Sequence, residues 1–154
     1  MKALLTIIFC IVVSLSYVNG RPGQHRRAFI GVVRAFNELC GNTTGIDPDS
    51  CIAELETEDK TAWDDCLTAG NFTDNSGLLT AICQNRSNFR KMRRCILTAA
   101  TTNWESERGR ITSEIISLRG RERRTKRRQM RNDYFSAKIT AANNAQKCVT
   151  ALGA

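Results

Sequence analysis

Apolar residues recur at steps of three and four along most of the chain, the period of helices with one buried face. Phe29, Ile30, Val33, Phe36, Leu39 and Cys40 mark a first helix over about 26–40. Gly41 to Gly45 ends it, and Asp47-Pro48 has the form of a helix start with proline at the first helical position. A short helix bearing Cys51, Ile52 and Leu55 follows. Thr57 is placed to cap the next, which carries Trp63, Cys66 and Leu67 on one face and stops at Gly70. Beyond a loop at 71–77, Leu78, Leu79, Ile82 and Cys83 mark another helix. The chain restarts at Ser87 or Asn88, with Phe89, Met92, Cys95, Ile96 and Ala99 on a shared face. Thr102-Asn103-Trp104-Glu105 has the spacing of a capping box and predicts a fresh start, continued by Ile111, Ile115 and Leu118. Met130, Tyr134, Ala137, Ala141, Ala145, Cys148 and Leu152 line the last helix.

No stretch alternates apolar and polar residues as a half-buried strand would, and there are only two prolines. The expected fold class is all-α: a small disulfide-stapled bundle of about five or six helices, three of them short. Residues 21–27 are polar and are expected to stand outside it.

The first twenty residues have a different pattern. Lys2 precedes an apolar run from Ala3 to Val13 broken only by Thr6, and Ser14 to Gly20 turns polar. That is the three-part shape of a secretory signal peptide, cut after Gly20, with Ser16 as the alternative position. The run is too short to span a ~30 Å hydrocarbon core comfortably, and no later segment is apolar enough to do so. Removal leaves 134 residues, 50 of them apolar, and takes Cys10 out of the seven cysteines. The six that remain are Cys40, Cys51, Cys66, Cys83, Cys95 and Cys148, an even number that implies three disulfides in an exported chain. Spacing alone does not choose among the 15 pairings that six cysteines allow. Asn42-Thr43-Thr44, Asn71-Phe72-Thr73 and Asn85-Arg86-Ser87 fit the N-glycosylation acceptor pattern.

Charge divides the chain again. The formal net charge is +8, yet residues 21–100 hold ten basic and ten acidic side chains, whereas residues 101–154 hold twelve and five. An acidic stretch, Asp47 to Asp65, carries eight acids against Lys60 alone. The densest basic cluster is Arg119, Arg121, Arg123, Arg124, Lys126, Arg127, Arg128 and Arg131, interrupted only by Glu122. No apolar residue lies between Leu118 and Met130, so as a helix this segment would be polar all round. The implied division is a signal peptide at 1–20, a disulfide-rich helical domain at 21–118, a basic exposed segment at 119–131 and a C-terminal helix at 132–154, tethered through Cys148.

Three readings of the basic segment stand. Arg121-Glu122-Arg123-Arg124 and Arg124-Thr125-Lys126-Arg127 fit the Arg-x-Lys/Arg-Arg pattern of furin-like processing. A cut after Arg128 would free the 26-residue tail Gln129 to Ala154 unless Cys148 pairs across it, and full pairing of the other five cysteines requires that it does. Alternatively, the cluster binds a polyanion, such as a sulfated glycan or an acidic membrane surface, in a salt-sensitive way. In the third reading it is a solvated stretch of a long helix, partly neutralised by the acidic segment. Export argues against a nucleic-acid partner, and the run has no aromatic residue for base stacking.

Candidate chemistry is sparse. His25, the only histidine, lies between Gln24 and Arg26 and is expected to be an exposed bystander. No Cys-x2-Cys, His-Glu-x-x-His, Gly-rich phosphate loop or EF-hand spacing occurs, so no metal and no cofactor is expected. The adjacent acids, such as Asp64-Asp65, and Glu56/Glu58 are taken as surface solvation, and Trp63 and Trp104 as core anchors. The expectation is therefore a secreted, non-enzymatic, disulfide-bonded and N-glycosylated helical protein acting by extracellular binding to a cell-surface protein or polyanion. One form of it is a signalling ligand or precursor processed near Arg128. The other is a cationic defence or matrix protein that binds sulfated glycans or anionic membrane surfaces.

Overall fold

The computed structural model describes residues 21–41 and 46–154. The expected signal segment, with Cys10, and the acceptor triplet at Asn42 lie outside the described residues. Six helices and no strand occur among those described: α1 (Pro22–Glu38), α2 (Asp49–Ile52), α3 (Thr57–Ala69), α4 (Asn75–Gln84), α5 (Arg86–Glu114) and α6 (Gly120–Leu152). The fold is the expected small, disulfide-stapled helical bundle.

Helix α1 starts earlier than its apolar period indicates. Pro22 occupies the first turn, where its missing N–H costs nothing, and the Arg21 N–H donates to Gln24 Oε1 at 3.2 Å. Residues 22–27 are thus helical, and His25 is buried rather than exposed. Phe29, Val32, Val33, Ala35 and Phe36 are buried around most of the helix, which makes α1 the centre of the bundle, packed chiefly on α6 and also on α5 and α4. A Cβ on Gly31 would overlap the Gln146 carboxamide, and Ala142 and Ala145 face the same seam. Small residues here let the two backbones approach closely.

The short helices are set by local chemistry. Asp47 Oδ1 accepts from Asp49 N–H at 3.0 Å, and Pro48 is the residue before α2 rather than its first. Thr57 is not the cap of α3 but its first residue, Glu56 standing outside. Helix α3 ends with Phe72 N–H donating to Leu67 O at 2.9 Å and Asn71 N–H to Thr68 O at 3.0 Å, a Schellman closure. The left-handed residue in it is Asn71, at φ 56, not Gly70. Gly70 serves space instead, since a Cβ there would overlap the Phe72 ring. Asp74 caps α4 by accepting from Gly77 N–H at 2.6 Å, and Asn85 caps α5 by accepting from Ser87 N–H at 2.9 Å.

Helix α5 runs unbroken for 29 residues through the Thr102–Glu105 box. A capping box helps only where the preceding chain leaves the helix. Here no proline or glycine interrupts residues 86–108, and α6 comes alongside to pack Phe135 against Trp104, with ring centroids 4.8 Å apart. Helix α6 has 33 residues, roughly 50 Å at 1.5 Å per residue. The expected boundary at 131/132 falls inside it.

Two cores result. The larger joins α1, α2, α3, α4, the first half of α5 and the last third of α6, around the fully buried Trp63. Trp63 Nε1 donates to Asn75 Oδ1 at 2.7 Å, and Asn75 Nδ2 donates to Asp49 Oδ1 at 2.7 Å. The smaller, Ile111, Ile115 and Met130 with Trp104 and Leu118 against it, lies between the end of α5 and the start of α6. These stretches form a two-helix arm with a small core of its own, separate from that of the stapled body.

The disulfides are Cys40–Cys83, Cys51–Cys148 and Cys66–Cys95, with Cα separations of 5.1, 5.4 and 5.7 Å. Each joins different parts of the body: the end of α1 to α4, α2 to α6, and α3 to α5. Cys51 and Cys66 are buried, whereas Cys40 and Cys83 meet at the surface. The Cys51–Cys148 link closes the longest loop, 97 residues, and so removes most entropy from the unfolded chain. Replacing both cysteines by serine is expected to cost about 4–5 kcal/mol in urea unfolding. Peptide mapping without reductant should recover these three pairs, and any other pairing would refute the arrangement.

Candidate functional site

Two polar assemblies stand out, one closed and one open. The closed one contains His25. Its Nε2 lies 2.6 Å from Asp59 Oδ2, and its ring stacks on Phe29 at 5.8 Å. Lys138 Nζ donates to Asp59 Oδ1 at 2.8 Å and pairs with Glu58 Oε2 at 2.7 Å. The Tyr134 hydroxyl donates to the same Glu58 oxygen at 2.8 Å. His25, Asp59 and Lys138 are 2%, 1% and 5% exposed, so all three are withdrawn from water. Burial by itself would raise the Asp59 carboxyl. The hydrogen bonds and charges of His25 and Lys138 outweigh it and hold the group below its ordinary value. Burial, then the Glu58 carboxylate, push the Tyr134 phenol up, so it remains a donor.

This cluster ties the first turns of α1 and α3 to the middle of α6. Glu58, expected at the surface, is exposed, whereas its neighbour Asp59 is buried. Because the Asp59 carboxyl is held low, its contribution is present above pH 3.8 and is lost as pH falls through the lower folded value. Asp59→Asn leaves Lys138 with Glu58 as its one carboxylate partner and should cost about 2–3 kcal/mol at pH 7. Denaturant titrations at pH 7 and pH 3 should show a smaller acid loss for the variant than for the parent. An equal loss would remove Asp59 as the source.

The open assembly is the arm. Arg119 is the residue before α6, in extended backbone, and Gly120 takes a φ of 55 that favours glycine. Arg123 is not a free cation of the cluster. Its Nε donates to Leu118 O at 2.6 Å and its Nη2 to Ile116 O at 2.5 Å, which satisfies carbonyls of the turn between the helices. Arg121, Arg124, Arg128 and Arg131 follow at i, i+3, i+7 and i+10, one stripe about 15 Å long on a helix. Arg121, Arg124 and Arg128 are exposed, Arg131 is half-buried, and Lys126 is exposed on the opposite side. Among the described residues none of the eight basic side chains is in an ion pair within 4 Å, and of the acids of 47–65 it is Glu58, Asp59 and Asp64 that pair, with Lys138, His25 and Lys60. Like charges one turn apart repel by a few tenths of a kcal/mol per pair.

Beside the stripe, α5 and α6 enclose a groove of about 400 Å³ lined by Trp104, Arg108, Ile111, Thr112, Arg127 and Arg131. The Arg131 Nε is shut off from solvent and has no hydrogen-bond partner. Arg110, by contrast, is claimed by Glu107 and Glu114 at 2.6 and 2.8 Å, which raises its pKa further. Arg108 and the groove face of Trp104 were not singled out from the sequence. The sequence pattern marks Trp104 only as a core anchor, whereas it is half-buried and lines the groove.

Asn71 and Asn85 are both exposed, at the end of α3 and the start of α5. Among the described residues no three His, Cys, Asp or Glu side chains gather as a metal ion would require, and no helix is long and apolar enough to cross a membrane. No protein-family model, curated protein or solved structure matches this chain.

Proposed function

We propose that this is a secreted, N-glycosylated, non-enzymatic protein that works outside the cell by binding sulfated polysaccharide along the arginine stripe of α6. The observation that carries it is a row of guanidinium groups, unpaired among the described residues, held on a rigid helix away from an otherwise neutral body. Self-repulsion along that row is relieved when a polyanion lies on it, and displaced counterions supply the driving force. Three disulfides suit an oxidising compartment, which agrees with export. A membrane surface is a poorer partner. An interfacial helix buries an apolar face, and α6 has no apolar residue before Met130.

Processing near Arg128 has one observation in its favour: the Cys51–Cys148 link would keep Gln129–Ala154 attached after a cut. Against it, both basic motifs lie within α6, whereas proteases take their substrates as extended strands. The secreted product is therefore expected as one chain that reduction does not split, which intact mass with and without reductant checks.

Affinity for heparin should fall steeply with salt. Arg121→Gln/Arg124→Gln/Arg128→Gln should keep the helical circular dichroism and lower the slope of log K against log salt by about 2–3, close to one per cation removed. Salt-independent binding by the parent, or an unchanged slope in the variant, would rule the stripe out.

A further inference from the structure

We propose that the groove between α5 and α6 is a discrete subsite for one sulfated sugar unit, its ring laid on Trp104 and its sulfate held by Arg108, Arg127 and Arg131. The subsite presupposes that the arm binds sulfated polysaccharide, and it specifies where a single residue of that polymer is gripped.

The volume, about 400 Å³, falls within the range of small-ligand pockets and suits one or two sugar rings. Three of the six lining residues are arginines, and no acid is among them. Arg108, Arg127 and Arg131 have no ion-pair partner among the described residues, although Arg110, on the same stretch of α5, has two. A guanidinium presents a planar fork of donors that matches the oxygens of a sulfate or carboxylate. The Arg131 Nε is enclosed and makes no hydrogen bond, so no protein acceptor holds this guanidinium there, and a sulfate would be met by the part of Arg131 that lines the groove. Thr112 does not compete, because its hydroxyl is donated to the Arg108 carbonyl at 2.8 Å.

The floor chooses the kind of anion. Trp104 and Ile111 are the apolar lining, and Trp104 is held in place by Phe135, with ring centroids 4.8 Å apart. An ordered indole in the wall of the groove suits the C–H face of a sugar ring. An acyl chain needs an apolar channel, and two apolar side chains among three cations do not make one. Free inorganic sulfate would use the arginines and leave the indole idle. The groove also runs on into the stripe, for Arg131 belongs to both and Arg127 lies one turn from Arg124. A polymer seated in it continues past Arg128 and Arg124 towards Arg121.

The test uses the full secreted protein and a heparin-derived tetrasaccharide, too short to occupy the whole stripe and groove together. Tryptophan fluorescence should change on titration, because Trp63 is sealed in the core and Trp104 is not. Arg108→Gln, an exposed and unpaired position, should weaken the tetrasaccharide about tenfold, the loss of one charge-assisted bond, and weaken full-length heparin less than threefold. Read by calorimetry, since the reporter is gone, Trp104→Leu should lose most of the tetrasaccharide affinity, and Trp104→Phe, which keeps an aromatic ring against Phe135, should retain part of it. The stripe variant Arg121→Gln/Arg124→Gln/Arg128→Gln should do the reverse, losing the polymer and keeping the tetrasaccharide.

If heparin binds through the stripe but the tetrasaccharide ignores Arg108 and Trp104, the subsite is wrong and the polyanion role stands. If neither sugar binds, both fall. Equal affinity for the desulfated tetrasaccharide would overturn the assignment of the arginines. Preferential binding to phosphatidylserine vesicles that depends on Arg108 and Trp104 would hand the groove to a lipid and overturn the sugar.

Discussion

The last helix is held in register by one buried amine: Lys138, at 5% exposure, tolerates separation from water only because Asp59 and Glu58 stand at its end. Those carboxylates are fixed in the first turn of α3, so α6 has one axial position that satisfies the charge. A slip of one turn, roughly 5.4 Å, would strand both partners. Asp59 is shared with His25, which brings the first turn of α1 into the same register. Gly31 and Ala142 then let the helices close, and Cys51–Cys148 fixes the far end. In this helix of 33 residues, the part before these contacts lies beside the end of α5, where Met130 packs on Ile111 and Ile115.

That geometry separates two jobs. The body is neutral, stapled and closed, and its internal charges are matched to each other. The arm holds its cations on two braced helices, with Ile111, Ile115 and Met130 as a small core between them. Arg123 is consumed in securing the turn, which orders the cations that follow it. Side chains presented from an ordered helix lose less conformational freedom on binding than the same residues in a loose tail. A contiguous basic run and a helical arginine stripe have equal charge, but only the stripe has a defined direction and spacing.

Much of the fold was legible in the residue pattern, because helices are local. The three- and four-residue steps in α1, α3 and α5 match their buried faces, and cysteine parity matches the three disulfides. What was hidden depends on distance in sequence. His25 and Asp59 are 34 residues apart, and Asp59 and Lys138 are 79 apart, so a lone histidine in a polar stretch looked solvent-exposed. The Thr102–Glu105 box carried a true local signal that tertiary packing of Trp104 on Phe135 overrides. The basic segment was legible as charge, but its division was not. That Arg123 closes a turn, Arg131 faces inward and Arg108 joins from another helix follows only once α5 and α6 lie side by side.

The Cys51–Cys148 bond also has a mechanical meaning. A pull on the arm along the α6 axis would load that helix lengthwise. The load travels past Lys138 and ends at a covalent bond into α2, near the far end of the same helix. Tension is thus met in shear, across many contacts and one bond, rather than by peeling the helix from its neighbours a turn at a time. The bundle therefore resists an axial pull on α6 better than a sideways one.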